Sequence, residues 1–188
     1  MCARRELLKY GRGSRIQGTQ IRDSGLPSGT AVKSQVGDVY AVPLRPIGFA
    51  TVVITVAPRN SIRAGYFFGP ARRDLSELKT SDFAPSERAM LAKFGDLGVR
   101  EGRWKKIGEV AVTPAEWPSL DFLFYSEVET VSASDLATVI RRRPMTAKDE
   151  SLPRNQLYGH EILEDTLSKL LEARELLWEQ WKERREGG

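Results

Sequence analysis

The chain has 188 residues, 40% of them hydrophobic, and carries 29 Lys and Arg against 25 Asp and Glu. That length supplies one domain with appendages and buries roughly two-thirds of the unfolded surface without a metal or disulfide staple. A single Cys excludes an internal disulfide, a single His leaves too few soft ligands for a zinc site, and neither a signal-peptide core nor an apolar run of about 18 residues is present, so a cytoplasmic protein with no cofactor is expected.

Residues 1–35 carry seven Lys and Arg against two acids and mix Gly, Ser, Arg, Thr and Gln without a sustained period, so they read as a basic, flexible arm. A weak pairing strand over Arg15 to Ile21 is the alternative there. The segment 36–158 has a net charge of only +2 and residues 159–188 one of −3, so the basic excess sits in the arm and argues against a basic nucleic-acid-binding face.

From Val36 the texture is that of a sheet. "GDVYAVPL" alternates its apolar residues, "RPIG" makes a tight connection, and "FATVVITVAP" is β-branched almost throughout, which predicts a hairpin whose second strand is covered on both faces. "IRAGYFFGP" (Ile62 to Pro70) is a third strand bounded by Gly and Pro. "APSERAMLAKFG" predicts a helix over 85–94, with Pro85 in the first turn, Ser86 and Glu87 at its positive end, Gly95 as a left-handed stop, and Ala89, Met90 and Phe94 buried. Further strands are expected around Trp104, around Phe122, and over Asp135 to Pro144.

A polar linker, 146–158, leads to the clearest helix, from His160 to about Arg185. Ile162, Leu163, Leu167, Leu170, Leu171, Leu177, Trp178 and Trp181 recur on one stripe opposite Glu, Lys and Arg. At 1.5 Å per residue it is about 39 Å long, longer than a small barrel is wide. Its far end would overhang and offer a homodimer contact to a second copy.

Groups able to do chemistry are sparse. The only His, His160, opens the long helix, where acids rather than an imidazolium are favoured. Glu127 and Glu129 share a face if their segment is extended, but a solvated strand face accounts for them as simply as acid and base roles. "GRGSRIQG" lacks the strand, the Lys-Ser/Thr pair and the helix of a phosphate loop. A nucleic-acid reading would use Arg72, Arg73, Arg103, Lys105, Lys106 and Arg141 to Arg143, with Tyr66, Phe67 or Trp104 as stacking platforms. Alternation along a strand sends Arg141 and Arg143 to one face and Arg142 to the other, so the triplet is not one patch.

Gly37 and Asp38 before an apolar strand with Pro43, Phe94 and Gly95, Trp104 with Ile107 and Gly108, and Trp117, Pro118 and Phe122 form an ordered series. Over Val36 to Ile140 it resembles the immunity protein 26 family of bacterial polymorphic toxin systems. The resemblance implies a cytoplasmic antidote that binds and blocks a cognate protein toxin, with no catalytic, cofactor or metal residues and no membrane role. A basic nuclease toxin would favour acids on the contact face. Glu116, Asp121, Glu127 and Glu129 are the expected partner-binding residues. The fold expected is α+β: a strongly curved, mostly antiparallel sheet over 36–145 closing toward an SH3-like barrel, or remaining an open sheet, with the inserted helix and the C-terminal helix of 159–188.

Overall fold

The computed structural model describes residues 33–46, 48–113, 116–117 and 120–186, with side chains through Gln180. The arm expected over 1–35, with its alternative strand at Arg15 to Ile21, lies almost wholly outside the described residues, as does the side chain of Trp181.

Apolar alternation and β-branched residues build the first strands as expected. β1 (Asp38–Pro43) and β2 (Phe49–Val56) pair antiparallel from Val39↔Val53 to Pro43↔Phe49. Gly37 enters this hairpin at φ +93°, and a Cβ on it would stand 2.4 Å from the Val110 carbonyl oxygen, so only glycine fits. β3 (Ile62–Arg72) pairs with β2, and β4 (Met90–Gly95) pairs with β3. A single-turn helix α1 (Leu97–Arg100) then leads to β5 (Lys105–Glu109), which returns to the free side of β1. β6 (Asp121–Phe124), β7 (Glu127–Val131) and β8 (Val139–Pro144) form a separate antiparallel sheet. β9 (Leu157–Tyr158) adds parallel to β4, and α2 (His160–Glu186) closes the chain.

The strand order β5-β1-β2-β3-β4-β9 makes a six-stranded sheet that does not close into a barrel, so the mostly antiparallel α+β expectation holds in its open-sheet form. Layers on both faces explain the β-branched texture of β2. Ala50, Val52 and Ile54 join Tyr40, Phe67, Phe94 and Trp104 under Leu163, Leu167 and Leu171 of α2. Val53 and Val39 join Ala64, Tyr66, Phe68 and Leu91 against Phe122, Val131 and Leu136 of the second sheet and its loop. The helix sits close: a Cβ on Gly69 would lie 2.6 Å from Leu171 Cδ2.

The helix expected over 85–94 is not formed. Its start signals are used by a 3-10 turn, Pro85–Glu87, and Ala89 N–H donates to the Phe67 carbonyl at 2.8 Å to begin β4. Both faces of β4 are covered, so Met90, Ala92 and Phe94 meet one core while Leu91 meets the other, a period of two that outweighs the local capping pattern. Gly95 is not a left-handed stop, since its φ is not positive.

The long helix is present, but its apolar stripe is buried only in its first half. Leu163, Leu167 and Leu171 are core, whereas Ile162, Leu177 and Trp178 are 65%, 63% and 52% exposed. One buried ion pair pins the loops at the open end of β3. Arg63, 1% exposed, donates to Asp96 Oδ2 at 3.0 Å, to Ser34 Oγ at 2.6 Å and to the carbonyls of Pro58, Asn60 and Ile62. With all three guanidinium nitrogens engaged, the cost of desolvating it is offset.

Candidate functional site

The motif residues are structural. Trp104, 2% exposed, packs edge-on to Phe67 and tilted against Phe94, and its ring lies on Gly98, where a Cβ would come within 2.9 Å of Nε1. Its indole N–H donates to Glu164 Oε1 at 2.8 Å, and Arg103 Nη2 donates to Glu164 Oε2 at 2.6 Å. Asp38 accepts from Gln35 N–H at 2.7 Å and from Tyr40 O–H at 3.1 Å, and pairs with Lys106 at 2.7 Å. Burial, and then the Asp38 charge, push the Tyr40 hydroxyl above the usual phenol range, so it stays a donor. Trp117 packs edge-on to Tyr66 and Phe68, and Phe122 is fully buried.

The four acids expected to face a partner have different fates. Glu129 is 2% exposed: Arg142 Nε and Nη2 each donate to its Oε1 at 2.8 Å, and Asn155 Nδ2 donates to Oε2. Asn155 also accepts from Lys93, whose ammonium lies 5.2 Å from the Phe122 ring centroid and donates to the Leu136 carbonyl at 3.2 Å. Burial holds that ammonium below the ordinary lysine range while the Glu129 charge pulls the other way. Asp121 accepts from the Thr130 hydroxyl and stands 3.9 Å from Arg141. Glu116 accepts from Thr113 Oγ1 at 2.8 Å on an exposed turn. Glu127 is exposed at the β6–β7 turn, beside Phe124 (41% exposed) and Tyr125 (80% exposed, φ +54°), whose rings meet edge to face at 4.7 Å. The four therefore do not form one acidic face.

The aromatics of the nucleic-acid reading are committed inward, whereas its basic residues lie largely at the surface, several of them in ion pairs. Tyr66, Phe67 and Trp104 are buried and cannot act as stacking platforms. Arg141, Arg142 and Arg143 pair with Asp121, Glu129 and Asp149 respectively, so each guanidinium has its own carboxylate. Asp149 accepts two bonds from Arg143, at 2.6 and 2.7 Å, and further bonds from Thr146 N and Oγ1, which together hold it well below the usual carboxylate range.

Among the described residues, no group of three His, Cys, Asp or Glu side chains converges as a metal site, and no helix is long and apolar enough to cross a membrane. A groove of about 490 Å³ lies between the edge of β4 and α2, lined in part by Arg88, Arg154 and Arg174. Reading along the chain could not assemble these three, because they come from a loop before β4, the segment before β9 and the middle of α2.

The fold is thus an open, mostly antiparallel sheet layered between a helix and a second sheet, an α+β scaffold with its motif residues turned inward. A family model for immunity protein 26 matches residues 35–133, and the chain belongs to this family. Neither a curated protein nor a solved structure matches the chain. The matched segment runs through β7, leaving β8, β9 and α2 beyond it.

Proposed function

We propose that the chain is a non-catalytic immunity protein of the cytoplasm that binds a cognate toxin of a polymorphic toxin system and occludes it. Family membership carries this reading. The ion pairs support it: Asp38, Asp96, Glu129, Asp149 and Glu164 all neutralise cations within the scaffold, which rigidifies a surface rather than poising a reactive group. Glu127, with Phe124 and Tyr125, is the contact tip: exposed aromatics beside an acid supply anchors and charge against a basic toxin such as a nuclease. Glu116, exposed on its own turn, is a separate acidic contact, while Asp121 stays committed to Thr130 and Arg141. The exposed Leu176, Leu177 and Trp178 of α2 form the contact of a homodimer.

Co-expression tests the reading. The chain should restore growth of cells making the toxin encoded beside it, and a purified toxin domain that keeps full activity at saturating antidote would refute it. Light scattering on the purified chain should give twice the chain mass, falling to one chain mass in Leu177→Glu.

A further inference from the structure

The groove between β4 and α2 collects three guanidinium groups and no carboxylate: Arg88, Arg154 and Arg174 line it, and no Asp or Glu does. None of the three has an ion pair among the described residues. Two are held in place by neutral partners. Arg88 lies over the Tyr66 ring at 5.4 Å and donates to the Pro85 carbonyl at 2.9 Å, while Arg174 donates to the carbonyls of Arg88 and Ala89 at 3.4 and 3.2 Å. A guanidinium has five N–H donors in a planar fork, so both retain donors after these bonds. Elsewhere in this fold Arg63 sits against Asp96, Arg103 against Glu164 and Arg143 against Asp149. Three like charges converging on one concavity raise its potential and favour an anion there.

Two more features say what kind of anion. Met90, Leu91, Tyr158 and Leu170 give the groove an apolar lining that a free inorganic ion would not use. The ladder between β4 and β9 covers only Lys93 and Phe94, so the β4 edge at residues 90–92 has no strand partner among the described residues. An open edge flanked by side-chain pockets accepts an extended peptide, with main-chain bonds for affinity and pockets for alternate side chains. The geometry assigns this groove to an extended acidic peptide segment of the partner, its carboxylates meeting Arg88, Arg154 and Arg174 and its apolar side chains meeting Met90 and Leu170. The assignment rests on the immunity reading for the partner's identity. One wall, residues 86–91, lies within the family segment, and the other, residues 151–174, lies beyond it, so the groove is completed by the part of the chain the family model does not match.

The test uses the full chain and an acetylated, amidated hexapeptide alternating glutamate and leucine, followed by amide chemical shifts and calorimetric titration. Saturable binding is expected, with shifts at residues 86–91, 151–158 and 166–174 and affinity falling as salt rises. Arg154→Glu should weaken it at least tenfold with an unchanged melting temperature, and Arg174→Gln should weaken it less. Arg59→Glu, an exposed arginine at another cavity, should leave it unchanged. Absence of shifts in the groove, undiminished binding to Arg154→Glu, or equal binding of inorganic phosphate alone would each overturn the assignment. Growth protection is scored separately. Protection by a chain that does not bind the peptide overturns the groove and leaves the immunity reading standing, whereas peptide binding by a chain that fails to protect does the reverse.

Discussion

The indole N–H of Trp104 donates to Glu164 across 2.8 Å, and this bond joins a residue inside the family segment to a helix outside it. Both side chains are buried, and the second carboxylate oxygen is held by Arg103 at 2.6 Å. Ser168 adds a parallel latch one turn on, accepting from Arg45 N–H at 2.8 Å. The helix is therefore part of the fold's core rather than an attachment. Glu164→Ala leaves a buried indole N–H and Arg103 without their acceptor and should cost about 3 kcal/mol in urea unfolding. Glu164→Gln, which keeps one acceptor oxygen, should cost about 1–2 kcal/mol. Combined with Trp104→Phe, the alanine change should fall short of additivity by about 1 kcal/mol or more, and strict additivity would mean the two side chains are not coupled.

Glu127 and Glu129 stand two apart on β7 and should respond oppositely to charge reversal. Glu129→Lys places a cation in a buried site beside Arg142 and Lys93, and should lower stability by about 3–5 kcal/mol. Glu127→Lys, at an exposed turn, should leave the melting temperature within a degree or two while weakening toxin inhibition. Thermal melts of the two variants check the first half, and inhibition titrations of the folded Glu127→Lys protein check the second.

Much of this architecture is legible in the residue order. The β-branched run of β2 implies cover on both faces, and it has a helix on one and a second sheet on the other. The Leu163, Leu167, Leu171 spacing marks the buried half of α2. The strand β4 is obscured because Pro85, Ser86 and Glu87 make a good helix start and because Lys93, polar by type, is buried through Asn155 and the Phe122 ring. The fates of the acids depend on cross-strand register: Glu129↔Arg142 and Thr130↔Arg141 set which carboxylate meets which guanidinium, and no local pattern encodes that pairing. The groove is hidden for the same reason, since its arginines meet only through tertiary structure.

Acid should loosen the segment that follows β8. Arg143 and Thr146 hold the Asp149 carboxyl below its ordinary value of 3.8, so the folded state binds this proton less readily than the unfolded chain does. Its contribution to stability is complete above the ordinary carboxylate range and declines as pH falls through 3.8 and lower. Melting temperatures measured from about pH 7 down to about pH 2 should show wild type losing its advantage over Asp149→Asn across that acid range. Lys93 acts at the other end: burial lowers its folded value below 10.5, so its contribution rises as pH climbs toward 10.5. A constant gap between wild type and Asp149→Asn at every acid pH would contradict the assignment.

Tyr125 separates stability from binding. It occupies the β6–β7 turn at φ +54° with 80% of its surface exposed, a left-handed conformation that costs a bulky aromatic roughly 1 kcal/mol and that asparagine tolerates better. Its ring contact is with Phe124, which is itself 41% exposed, so no core packing calls for an aromatic there. A contact role at the proposed tip would account for an aromatic held in that conformation. Tyr125→Asn should therefore raise stability by about 0.5–1 kcal/mol, a gain of a few degrees in Tm for a chain of this size. The same change should weaken toxin inhibition at least tenfold by removing an aromatic anchor from the tip. A variant that is destabilised, or one that inhibits as well as wild type, would remove Tyr125 from the contact surface.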